Sequence, residues 1–379
     1  MVYKYIYIDD TNDNIERGTI NGLQDGGEIE IAFQKPNDWE TQINDLVSNL
    51  KNYSGIILDL RLNLVPYEDS KYAQFRGSTV AQELRTLAKE AKFENDFPII
   101  LISGDAEIAK SLDQTSLDLF DFTVNKTRLG HSNGLSYSEF RDKLKWMADG
   151  YTFLNKSNKT VEAILDIKDA SFLDTRFIDI FGKIVIKPVH SIARFLIKQV
   201  IERPSFLIDE KYLSARLGVD GKSQDWNNLL TKFLSPLKYS GAFSTYYDRW
   251  WMQGIEDFWE EKISSEYFLR SIDAKQRVDL LIEKTGLKNL TPISRQEKSK
   301  SDSFWTICKG TNVAIDTIDG LVIANQDSIY PWQEKEYVCI NEALRPSNIE
   351  SWHAVSALEK NRLQKLKDLY GKTEQRTRK

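Results

Sequence analysis

Four apolar segments of this chain run into residues suited to phosphoryl chemistry. Tyr5-Ile6-Tyr7-Ile8 leads to Asp9-Asp10, and Gly55-Ile56-Ile57-Leu58 leads to Asp59. Pro98-Ile99-Ile100-Leu101-Ile102 leads to Ser103, and Phe122-Thr123-Val124-Asn125 leads to Lys126. Short runs rich in Ile and Val read as buried parallel strands. Ligands of a doubly wound sheet lie at the carboxyl ends of its strands. Three acids, a hydroxyl and an ammonium therefore converge on one edge. That donor set suits a divalent cation beside a phosphoryl group.

The elements between these segments must be helices for the strands to run parallel. Trp39 to Leu50 carries Ile43, Leu46, Val47 and Leu50 at helical spacing, and Val80 to Ala91 carries Leu84, Leu87 and Ala88. Ile108 to Leu119 fits a third helix. Strand and helix in alternation imply βαβ units, and right-handed crossovers leave few topologies. The expected class is α/β, with a flavodoxin-like doubly wound parallel sheet followed by a mainly helical α+β region.

Residues 1 to about 130 resemble a two-component response-regulator receiver domain. Asp9 and Asp10 match that family's acidic pair, Asp59 its phosphoacceptor, Ser103 its hydroxyl position and Lys126 its lysine. The resemblance implies Mg²⁺ held by Asp9, Asp10 and Asp59. It implies Asp59 as the nucleophile, with Ser103 and Lys126 on the phosphoryl oxygens. It also implies a histidine kinase or small phosphodonor as partner.

Three features depart from the family pattern. Pro66 is present, but the matching Gly77 follows Asp59 by eighteen positions, so the loop Val65 to Phe75 is enlarged and placed to cover the site. Thr127 stands where the family has a proline, so a trans bond is expected after Lys126. Thr123 occupies the position of the family's aromatic switch, with Phe122 beside it.

A chain of 379 residues suggests more than one domain. The expected division is a receiver-like domain at 1–130 and a linker or transition helix at 131–160, packed through Tyr137, Phe140 and Trp146. A helical aromatic-rich domain at 161–297 and a small β-containing region at 298–379 follow, the latter with a terminal helix and a disordered basic tail. A formal charge of −5 argues against nonspecific nucleic-acid binding. Cys308 and Cys339 read as reduced thiols of a cytoplasmic protein. Neither a membrane span nor a secretory signal is expected. His190 reads as a structural or capping residue.

Tyr212 to Leu234 has the outline of a helix-turn-helix, with a turn at Gly218. Its second helix would begin with Asp225, Trp226 and Asn227, which ill suits phosphate contacts. A packed helical pair is the favoured reading. The aromatics from Phe243 to Trp259 read as core. By architecture alone, the chain is also similar to receiver proteins of bacterial anti-phage loci. The leading expectation is a signalling protein that takes a phosphoryl group on Asp59 and relays it through a protein-binding carboxy-terminal domain. The alternatives are a DNA-binding regulator using 212–234 and a phosphate sink without its own output.

Overall fold

The structure is a computed structural model that describes residues 2–11, 13–104, 112–132, 134–326 and 328–377. It divides into two compact units. The first comprises Met1–Ala170, Ile178–Leu196 and Ser240–Tyr246; the second comprises Ser171–Phe177, Ile197–Tyr239 and Tyr247–Lys379.

In the first unit, β1 (Tyr3–Ile8), β2 (Ile29–Gln34), β3 (Gly55–Asp59), β4 (Ile99–Ser103) and β5 (Phe122–Asn125) form a parallel sheet. Its order is β2-β1-β3-β4-β5, the flavodoxin-like order. Every residue of β3 and β4 is buried. Their side chains alternate between two cores, as period-two geometry requires. Ile56, Leu58 and Leu101 pack with Leu46, Val80 and Leu84 on one face. Ile57, Ile100 and Ile102 pack with Leu23, Phe140 and Leu144 on the other.

The covering helices are α1 (Asp13–Gln24), α2 (Trp39–Asn49), α3 (Gly77–Lys89) and α4 (Tyr137–Lys156). The Asp38 side chain caps α2 by accepting from Thr41 N at 3.0 Å. Ser136 and Glu139 close a capping box at the start of α4. Helix α4, within the stretch read from sequence as a linker or transition helix, belongs to the first unit. Phe140 and Leu144 of α4 are fully buried, and the Tyr5 hydroxyl donates to Leu144 O at 2.7 Å. Of the helix expected at 108–119, residues 108–111 lie outside the described residues; a helical turn is present at Gln114–Leu117.

At the amino-terminal end of β4, away from the strand ends that carry the acids, Arg85 of α3 reaches two buried carboxylates. It lies 3.3 Å from Asp96 and 2.9 Å from Asp121. The backbone N–H of His190 donates to Asp96 Oδ2 at 2.9 Å, and its Nδ1 lies 3.3 Å from the same oxygen. His190 is therefore a structural histidine.

The second unit is helical, with short antiparallel ladders. Leu207–Ile208 pairs with Trp250–Trp251, Thr306–Ile307 with Ala314–Ile315, and Gly320–Val322 with Tyr337–Cys339. Trp226, Trp250, Trp259 and Trp305 are buried in its main core. Helix Glu210–Leu217 ends on Gly218 at φ +71°, a left-handed cap that favours glycine. The helix from Trp226 then continues through a π-helical segment to Leu234. At its start Trp226 is buried and donates to Glu210 at 2.7 Å. Arg216 is buried as well and is paired with Glu334 at 2.7 Å. The surface of the helix offers Asn227, Thr231 and Lys232, with one cation among them. The helix-turn-helix outline closes as a packed helical pair. The terminal helix, Lys360–Thr377, extends into the stretch expected to be a disordered tail. Among the described residues, no helix is long and apolar enough to cross a membrane.

Candidate functional site

Strand register brings the sequence-selected residues to one edge. Ile8 pairs with Leu58, so Asp9 and Asp59 follow on neighbouring strands. Ile102 lies opposite Asp59, and Ser103 lies opposite Asn125. Lys126 N donates to Ser103 O at 2.8 Å, which ties β5 to β4 where both strands end. Asp9, Asp10, Asp59 and Ser103 are all buried, with Asp59 the most open at 7 %.

Asp9 is fully engaged. Its Oδ1 accepts from Thr11 N at 2.9 Å and Thr11 Oγ1 at 2.6 Å. Its Oδ2 accepts from the Tyr7 hydroxyl at 3.0 Å and Lys126 Nζ at 2.6 Å. Burial works to raise the pKa of this carboxyl, but the Lys126 ammonium and these hydrogen bonds hold it below the ordinary value. Lys126 also lies 2.8 Å from Glu16 Oε1. Burial works to lower the lysine pKa, yet Asp9 and Glu16 raise it. Glu16 is a site residue that sequence reading missed. It is buried on α1, and Tyr7 donates to its Oε2 at 2.9 Å. An acid near a helix start ordinarily answers the helix dipole, so the sequence carries no distinctive signal for it.

Asp10 meets the long loop. Its Oδ2 accepts from Leu64 N at 2.5 Å and Val65 N at 2.8 Å. The enlarged loop therefore reaches the acidic pair through its own backbone. Leu62, Ala73 and Phe75 anchor it in the core of the first unit.

Asp59 is different. Its Oδ2 accepts from Arg61 N at 2.7 Å, and it has no ion-pair partner among the described residues. Burial, and then the charge of Asp9, push its pKa up to about 7, with Lys126 offsetting only part of this. Asp59 is thus a buried acid that no cation pairs directly among the described residues. Gly77 opens α3 directly behind it. A Cβ at Gly77 would lie 2.1 Å from Asp59 O, so only glycine permits this approach. No peptide bond among the described residues is cis, the one following Lys126 included. Phe122 packs edge-on against Phe140 at 6.0 Å, and Thr123 is exposed.

Among the described residues, no three His, Cys, Asp or Glu side chains are gathered closely enough to hold a metal as they stand. The donor chemistry nonetheless fits Mg²⁺, a hard cation that takes oxygen ligands. Asp59 carries a carboxylate that burial and Asp9 destabilise, and a cation would relieve it. One residue before the amides that bind Asp10, Asn63 has a buried Oδ1 without a hydrogen-bond partner among the described residues.

The chain is similar in structure to several solved receiver domains. A CheY-like response regulator receiver domain from Methylobacillus flagellatus is 15 % identical. The match covers 39 % of this chain and 99 % of that one, with a TM-score of 0.27. The receiver domain of a Pseudomonas aeruginosa sensor histidine kinase, described with magnesium coordinated in its active site cleft, is 14 % identical. That match covers 39 % of this chain and 98 % of the other, also with a TM-score of 0.27. The receiver domain of the TMAO respiratory system response regulator TorR is 16 % identical over 38 % and 93 % of the two chains, with a TM-score of 0.25. No protein-family model matches the chain, and no curated protein does. The first unit has the flavodoxin-like fold by its own strand order, and the chain's amino-terminal part resembles a response-regulator receiver domain.

Proposed function

We propose that the first unit accepts a phosphoryl group on Asp59 and that the second unit passes the change to a protein partner. One observation carries the reading. A buried, uncompensated carboxylate ends β3 at the edge where two further acids, a hydroxyl and an ammonium also end their strands. The donor would be a histidine kinase in the cytoplasm or a small acyl phosphate.

In the step itself, an Asp59 carboxylate oxygen attacks phosphorus. The bond from phosphorus to the donor nitrogen or oxygen breaks, and the donor keeps its electron pair. Asp59 must be ionised to attack, and its raised pKa opposes this near neutral pH. Mg²⁺ at Asp10 and Asp59, with Asp9 assisting, would supply the positive charge that favours the ionised form. Lys126, now shared between Asp9 and Glu16, is near enough in sequence and register to pair with a phosphoryl oxygen. Ser103 would donate its hydroxyl to another.

Incubating the full chain with acetyl phosphate and Mg²⁺ tests this reading by intact-mass analysis. The expected product carries one alkali-labile phosphoryl group, and Asp59→Asn abolishes it. A label that persists in Asp59→Asn assigns the acceptor elsewhere and overturns the reading.

A further inference from the structure

The second unit contains a cavity of about 500 Å³ that the phosphoacceptor reading leaves unused. It lies between the segment around Lys298, the short helix Ile340–Leu344 and the terminal helix Lys360–Thr377. That volume is typical of small-molecule sites.

Lys298 and Lys367 line it, together with Glu342 and with Arg345, which is itself engaged. The Glu342 carboxylate is already consumed. Its Oε1 accepts from Ser347 N and Asn348 N, each at 2.9 Å, and from Trp352 Nε1 at 3.0 Å. Its Oε2 accepts from the Ser347 hydroxyl at 2.5 Å. These donors disperse its charge and hold its pKa below the ordinary value, although burial works to raise it. Neither Lys298 nor Lys367 has a carboxylate within ion-pair distance among the described residues. Lys298 instead holds its ammonium 5.5 Å from the centre of the Tyr370 ring, which also lines the cavity. Two ammonium groups on the wall of a concave space, with no carboxylate paired to either among the described residues, favour an anion.

A second observation points the same way. Asn341, also on the wall, has a buried Oδ1 with no hydrogen-bond partner among the described residues, while its Nδ2 lies 3.4 Å from Gln296 Oε1. Buried acceptors are rarely left unmade. A ligand that brings an N–H or O–H donor along with its negative charge would satisfy both demands.

We propose that this cavity binds a phosphorylated small molecule of mononucleotide size. The phosphate lies between Lys298 and Lys367, a donor group meets Asn341, and the Tyr370 ring flanks the organic part. Such a site would let the second unit respond to a metabolite independently of Asp59.

Calorimetric titration of the full chain in EDTA at low salt tests the proposal, since removing divalent cations silences the phosphoacceptor edge. The probes are adenosine 5′-monophosphate, ribose 5-phosphate and inorganic phosphate. The nucleotide or the sugar phosphate is expected to bind with a measurable heat, and inorganic phosphate at least about tenfold more weakly. Lys298→Glu and Lys367→Glu each weaken binding about tenfold or more, with unchanged melting temperature showing that the fold survives. Asn341→Leu weakens the organic phosphates while leaving inorganic phosphate unaffected. Three results would each overturn the proposal. They are no heat from any probe at millimolar concentration, equal affinity for inorganic phosphate and the nucleotide, and binding indifferent to both lysine substitutions.

Discussion

Asp59 and Asp9 are both buried aspartates at one sheet edge, yet they differ in sign. Asp9 has Lys126, Thr11 and Tyr7 around it and is held below the ordinary carboxyl range. Asp59 has one backbone donor and is pushed up to about 7. Its folded pKa thus exceeds its unfolded value of about 3.9. Between those two values the folded protein holds a proton that the unfolded chain releases. Stability from this group is greatest below about pH 4, falls as pH rises to about 7 and is level above that. The full effect is about 3–4 kcal/mol. In EDTA, Asp59→Asn is expected to be more stable than the native chain at pH 8 by most of that amount, with the gap narrowing toward pH 4.5. Urea unfolding at both pH values measures it, and an unchanged gap would show that Asp59 is ordinary. Lys126→Met should act in the opposite direction. It strands Asp9 and Glu16 beside each other and costs about 2–4 kcal/mol at pH 8, allowing for the partial exposure of the lysine. Because Asp9 loses the ammonium that holds its pKa down, the loss should shrink as pH falls to 5.

The element that distinguishes this unit is the segment between β3 and α3. Its amides at Leu64 and Val65 satisfy Asp10, so hydrogen exchange at these two positions should be slow for an otherwise exposed loop. Asp10→Ala should speed exchange at both amides while leaving those of β4 protected. If exchange at Leu64 and Val65 is fast in the native chain, the loop is not held by Asp10. The far end of the same segment is set by Gly77, whose missing Cβ lets α3 start against the Asp59 carbonyl. Gly77→Ala must displace the backbone behind Asp59, at a cost of about 1–3 kcal/mol. On the proposed function, loss of Asp59 labelling should accompany the fall in melting temperature.

Across the whole molecule, the first unit owes much of its definition to contacts between distant parts of the sequence. Arg85 of α3 serves Asp96 and Asp121, and Tyr151 of α4 donates to Asp121 at 2.6 Å. His190 completes the group at Asp96. Removing the guanidinium leaves two buried carboxylates without a cation. Arg85→Met is therefore expected to cost about 3–5 kcal/mol. Chemical denaturation followed at the tyrosines of the first unit would reveal it, and a cost under about 1 kcal/mol would mean that the carboxylates find other partners.

The sheet and its chemical edge were legible in the sequence because they depend on local facts. Each strand is a short apolar run, and each of Asp9, Asp10, Asp59, Ser103 and Lys126 stands where its run stops. Parallel pairing then carries those strand ends to one edge with no further information. Partner choice was not legible, because it is settled between residues far apart in the chain. Lys126 turning to Glu16, Asp10 taking the loop amides and α4 closing over Tyr5 all depend on side chains brought together by packing. In the second unit the strands are two or three residues long, too short for periodicity to mark. Its architecture rests on buried tryptophans and on arginines such as Arg216, which composition alone places on a surface and folding places inside.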